Sequence, residues 1–145
     1  MQITMGWVLL FLGGALYLAQ IISSINFRLA QKLGIQEKAE LTDSLLQRSE
    51  RYTAYWDLIT LVWLPLAGAM MIFNHDWWPI VSLIAGAIYF DISGREAVKY
   101  ISFRHEGVRL GSEKQQKAFF ATYIVMAVIG IILSIYSVNT LMSKL

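Results

Sequence analysis

An all-α integral membrane protein with four transmembrane helices is the expectation from this sequence, on three grounds. The composition is too apolar for a soluble domain, four apolar segments are long enough to span a bilayer, and the basic residues crowd into alternate connections. Hydrophobic residues make up 57% of the 145 residues and charged residues 15%. Soluble domains carry roughly 25% charged residues. A soluble chain of this composition would expose large apolar patches, a problem that a bilayer removes. The length suits one domain. There is no cysteine, which excludes disulfides, thiolate metal sites and cysteine nucleophiles.

Crossing about 30 Å of hydrocarbon takes about 20 mainly apolar residues. The first 27 residues are free of charge, and the first span is placed at about 3–25. This run is too long and lacks the basic start of a signal peptide. The second span is placed at about 53–73. The third opens at Trp77-Trp78-Pro79 and covers about 78–98. Proline suits the first turn of a helix. From Trp77 to Asp91 the rise is only about 21 Å, so the third span must take in Asp91, and with it Arg95. The fourth covers about 118–142. Beyond the spans, Gly34 reads as the stop of the first helix. Ser44 with Gln47 reads as a capping box opening the second, and Ser112 with Gln115 as one opening the fourth. Gly107 and Gly111 punctuate the connection before the fourth.

Orientation follows from Lys and Arg placement. Segments 26–52 and 92–117 hold 11 of the 12, the 74–76 turn holds none, and the tails hold only Lys144. Both basic loops are therefore expected in the cytoplasm and both termini outside, in a multi-pass membrane protein. In a bacterium this would be the inner membrane.

Charged residues inside a span are expensive and are the first candidates for a functional site. Asp57, Asp91 and Arg95 fall in the cytoplasmic third by helical rise. Asp91 and Arg95 share a helix face at spacing four, Lys99 continues it, and Glu50 and Arg51 stand at its mouth. Two readings stay open. In one, Asp57 or Asp91 pairs with Arg95 to lock helices together. In the other, Arg51, Asp57, Asp91, Arg95 and Lys99 line a polar pocket that holds an anionic ligand or passes ions or protons. Tyr89, Ser93, Glu96 and Tyr100 form a second polar face on the third helix, expected at the bundle centre or a subunit interface. Small residues Ala15, Ala19 and Ser23, and Ser82, Gly86 and Gly94, offer close helix contacts. Tyr52, Tyr55, Trp56, Trp77, Trp78, Phe119, Phe120 and Tyr123 read as interfacial belt residues. His75 and His105 are isolated, so no metal site is expected. No phosphate loop, serine elbow or HExxH motif is present, which leans away from an enzyme. The expected partners are the lipid bilayer, further copies of the chain and other membrane subunits, and not nucleic acid. The expected function is a solute or ion pathway or an accessory subunit.

Glu50-Arg51 leading to Asp57-Leu58, with Pro65 later in the same helix, resembles the MAPEG family of membrane-associated glutathione and eicosanoid enzymes. So does the layout of four helices with a long first and short second connection. In that family an arginine opens the second helix, followed by an Asn and Glu pair and a proline. Here Tyr55 and Trp56 stand where the asparagine is expected and Asp57 where a glutamate is usual. The resemblance implies a trimer with a cytosolic site between subunits. It also implies glutathione or a similar anionic thiol held by Arg51 and Arg95, and a later arginine and tyrosine matched by Arg95, Tyr100 or Arg104.

Overall fold

The computed structural model describes residues 2–143, and among them the chain is helical with no strand. The helices are α1 (Gln2–Ile25), α2 (Phe27–Lys32), α3 (Ser44–Thr60), α4 (Trp63–Ile72), α5 (Trp78–His105) and α6 (Glu113–Met142), with a short 3-10 turn at Ala39–Leu41. Three stretches are long and apolar enough to cross a membrane: Gln2–Ile25, Ser44–Ile72 and Glu113–Met142. Only 17% of the most apolar stretch of α6 is buried within the protein. Phe11, Leu18, Ile124 and Ile135 all project outward. Water would penalise such a surface. Helix α5 is long enough to span, but Asp91, Arg95, Glu96 and Lys99 make its second half polar.

Local chemistry sets the breaks. The first helix does not run on to Gly34. Asn26 leaves helical geometry at φ −140° and its side chain accepts a hydrogen bond from the Leu29 N–H at 3.0 Å, so the helix ends and restarts there. Gly34, at φ +74°, then ends α2 as expected of a left-handed C-terminal residue. Pro65 divides the second stretch. It has no N–H for the Leu61 carbonyl and its ring crowds that carbonyl. Leu61 and Val62 accordingly form a turn between α3 and α4. The N-cap of α3 is Asp43, not Ser44, and the Gln47 amide turns outward to the carbonyls of Ala39 and Thr42. At α6 the Ser112 hydroxyl does cap, accepting from the Gln115 N–H at 3.3 Å, while the Gln115 side chain reaches the Gly34 carbonyl at 2.8 Å.

Two close helix pairs make the framework. In α1 and α4, a Cβ on Gly68 would sit 2.6 Å from the Leu10 nitrogen, and one on Gly13 would sit 2.9 Å from Pro65. In α5 and α6, a Cβ on Gly86 would sit 2.8 Å from the Gly130 carbonyl oxygen. Of the predicted small-residue stripes, Ser82, Gly86 and Ser23 are buried, whereas Ala15 and Gly94 face outward. Helix α4 also packs on α5, and α3 on α1. A core of Leu9, Leu64, Met71, Ala85, Tyr89 and Leu133 fills the space between them.

One end of the molecule gathers the start of α1, the α4–α5 turn and the last part of α6. There Gln2 donates to the Met71 carbonyl at 3.0 Å, and Trp78 stacks on Tyr136 with ring centroids 5.4 Å apart. The other end carries the two basic connections, which are laced together. Thr42 and Leu110 form an antiparallel bridge. The Asp43 carboxylate accepts from the Arg109 N–H at 2.7 Å and from its Nε at 3.2 Å. Glu37 accepts from the Ser112 N–H at 3.0 Å and from its hydroxyl at 3.1 Å.

Candidate functional site

Helix α3 carries Glu50, Thr53 and Asp57 along one face, at spacings of three and four. Helix α5 turns Ile92, Ser93, Glu96 and Tyr100 inward. Between them, closed by α1, α6 and the 35–36 segment, lies a cavity of about 250 Å³. Glu50, Asp57 and Glu96 all line it, as do Gln20, Gln36 and Tyr123. Such a volume holds several waters, each of which occupies about 30 Å³ in the liquid.

The charges inside are unevenly matched. Lys99 Nζ lies 2.8 Å from Glu50 Oε1 and also pairs with Glu96. The Glu50 approach is a charge contact without hydrogen-bond alignment. One ammonium thus serves two carboxylates. Asp57 is 3% exposed and has no ion pair among the described residues. Among the described residues its one side-chain hydrogen bond is accepted from the Thr60 hydroxyl, at a long 3.5 Å. With three carboxylates to one ammonium, the cluster has a formal charge of −2. Among the described residues no group of three or more His, Asp or Glu is placed to hold a metal ion.

An aromatic group covers the basic-loop side of this cluster. Tyr100 is buried and meets Phe119, Phe120 and Tyr123 at centroid distances of 6.0, 6.3 and 6.2 Å. These three α6 residues therefore pack inward on Tyr100 instead of forming a belt. Trp78 is likewise buried, while Tyr52, Tyr55, Trp56 and Trp77 are exposed as a belt requires.

The structure redistributes the residues singled out from sequence. Asp57 and Lys99 come together with Glu50, Glu96 and Tyr100, which were secondary candidates. Arg51, Asp91 and Arg95 are exposed and line neither the cavity nor any ion pair among the described residues. Arg104 is exposed and donates to Gln116 Oε1 at 2.6 Å. Of the two polar faces of α5, the Glu96 and Tyr100 face lies at the bundle centre, one of the two places expected for it, whereas the Asp91 and Arg95 face, expected to line a pocket or pair across helices, is outside. Gln20, Gln36 and Thr122 in the cavity wall were not foreseen, since neutral polar residues scattered over three segments carry no spacing signal.

Outside this region, the carboxyl of Asp43 is held below its ordinary value. The Arg109 backbone N–H is the main cause, helped by the Arg109 guanidinium. No family model, curated protein or solved structure matches the chain.

Proposed function

We propose that the chain is a four-span membrane protein, with both termini outside, that takes up a cation in the acidic cavity and serves as a solute or ion pathway. The observation that carries this reading is Asp57, buried on a cavity wall with two further carboxylates and in no ion pair among the described residues. A buried ionised carboxylate is costly unless a positive charge accompanies it or a proton neutralises it. The site is thus suited to a positively charged occupant. Arg51 and Arg95, the groups an anionic thiol would need, stand outside the cavity. Support for the topology comes from the 11-to-1 split of basic residues and from the shared end of α1's start and α6's close.

Assembly is part of the proposal. Phe90, Asp91, Gly94, Arg95 and Val98 form an outward stripe on α5, and a Cβ on Gly94 would meet nothing within 4 Å. Charges facing hydrocarbon are costly. A second copy docked on this stripe about a two-fold axis would place Asp91 against Arg95 of its neighbour, one helical turn away, in both directions. Cross-linking of Gly94→Cys in native membranes checks the contact.

The cation reading is tested by reconstituting the purified protein into liposomes and following potassium and proton flux. Wild type is expected to conduct at least one of them, and Asp57→Asn to reduce that flux by about tenfold or more. Absence of both fluxes in wild type, or full activity in Asp57→Asn, would sink the reading.

A further inference from the structure

The acidic cavity has an apolar neighbour. While α1 pairs with α4 and α5 with α6, helices α1 and α6 make few direct contacts. Between them lies a second cavity of about 310 Å³, walled by Leu12, Leu16, Val125, Met126 and Ile129. It shares Leu16, Thr122 and Met126 with the acidic cavity, so the two are adjacent, with these three side chains at their common boundary. Tyr89 lines this second cavity from α5. It is fully buried, and its hydroxyl has no hydrogen-bond partner among the described residues. A buried hydroxyl left without a partner costs about 1–3 kcal/mol. Two buried polar groups thus line the adjacent cavities, the Tyr89 hydroxyl the apolar one and the Asp57 carboxyl the acidic one, and neither has a full set of partners among the described residues.

The chemistry of these adjacent cavities names their occupant. An apolar wall ending on carboxylates complements a molecule with a greasy body and a positive head. The carboxylates are not gathered as metal ligands among the described residues, aliphatic side chains offer a metal ion nothing, and the one thioether on the wall, Met126, is a soft donor without a second soft partner there. We propose that the groove between α1 and α6 admits a lipophilic organic cation, of the amine or quaternary ammonium class, sideways from the bilayer. Its apolar body rests on Leu12, Val125 and Ile129, and its charged head lies toward Asp57 with Tyr89 alongside. This rests on the reading that the acidic cavity takes up cations, and adds to it the class of cation and the direction of entry.

Binding of tritiated tetraphenylphosphonium to wild-type protein in lipid nanodiscs, corrected for empty nanodiscs, tests it. Saturable binding is expected, displaced by dodecyltrimethylammonium and not by the same concentration of tetramethylammonium, which has the charge without the apolar body. Asp57→Asn and Ala121→Trp are each expected to weaken binding by about tenfold or more, the scale of one interaction with a charged group. Ala121 is an exposed residue on the groove wall, so tryptophan there fills the groove without loading the core. No saturable binding in wild type, equal displacement by tetramethylammonium, or unchanged affinity in either variant overturns the proposal. Potassium or proton flux through wild-type liposomes then shows separately whether the cavity still passes cations.

Discussion

Removal of the Lys99 ammonium is the sharpest perturbation of the charged cluster. Its Nζ lies 2.8 Å from Glu50 and also contacts Glu96, and the three side chains are only 16%, 14% and 8% exposed. Lys99→Met keeps the length of the stem but leaves two carboxylates facing each other beside Asp57. Breaking a buried pair by deleting one partner costs roughly 3–5 kcal/mol, because the other charge stays behind. The residual exposure of Lys99 and Glu50 puts the expected loss near the lower end, about 3 kcal/mol. At roughly 3 °C per kcal/mol for a chain of this size, the melting temperature should fall by about 10 °C. The combined Glu50→Gln, Glu96→Gln, Lys99→Met variant removes every charge of the group. It should lie within about 1 kcal/mol of wild type, since neutral replacement of a buried ionic group is often close to neutral. Thermal unfolding in one detergent at pH 7, read by fluorescence of the five tryptophans, measures both. A single variant as stable as wild type, or a triple variant as unstable as the single one, would refute the assignment of Lys99 as counter-charge to two carboxylates.

Gly130→Ala and Gly86→Ala should each destabilise by about 1–3 kcal/mol, because a methyl group enters the α5–α6 contact. Gly94→Ala, with open space around it within one chain, should be neutral or stabilising by up to about 1 kcal/mol from helix propensity in protein dispersed as monomers in detergent. Thermal melts of the three compare them directly. Asp43, whose pKa is depressed by Arg109, contributes stability at pH 7 that is fully present above the ordinary aspartate value of about 3.9. That contribution is lost as pH falls through the lower folded value. The melting-temperature gap between wild type and Asp43→Asn should therefore hold from pH 7 down to about pH 4 and close below it; a gap that persists at pH 2 contradicts the contact. Because the chain has no cysteine, Lys38→Cys and Asn74→Cys can be labelled singly in membranes of known sidedness. The first should react only from the cytoplasmic side and the second only from the other; the reverse pattern would invert the topology.

Helix content, the three apolar stretches and the Ser112 cap were legible in the sequence, because they depend on residues near each other in the chain. Hydropathy over about 20 residues reports a spanning stretch, and Ser112 caps α6 from the residue beside it; the breaks at Asn26 and before Pro65, equally local in cause, interrupt what hydropathy reads through as continuous helix. Asp57 stands out as a candidate for the same local reason, as a lone carboxylate in an apolar run, and the structure buries it on a cavity wall. Lys99 shows the limit. Two steps of four residues from Asp91 advance about 80° beyond full turns, so Lys99 leaves the Asp91 and Arg95 face and joins Glu96, three residues before it, and Glu50 from another helix. Near its basic end α5 is polar on several sides, and periodicity cannot say which side is inside. That depends on where α3 and α6 stand, and hence on glycine contacts such as Gly86 with Gly130, which are set between helices. The joining of Asp43 to Arg109, 66 residues apart, and the groove between α1 and α6 are likewise properties of the assembled chain. The residues themselves supplied an apolar helical protein with a few expensive charges. Packing chose which of those charges face one another around a cavity and which face outward.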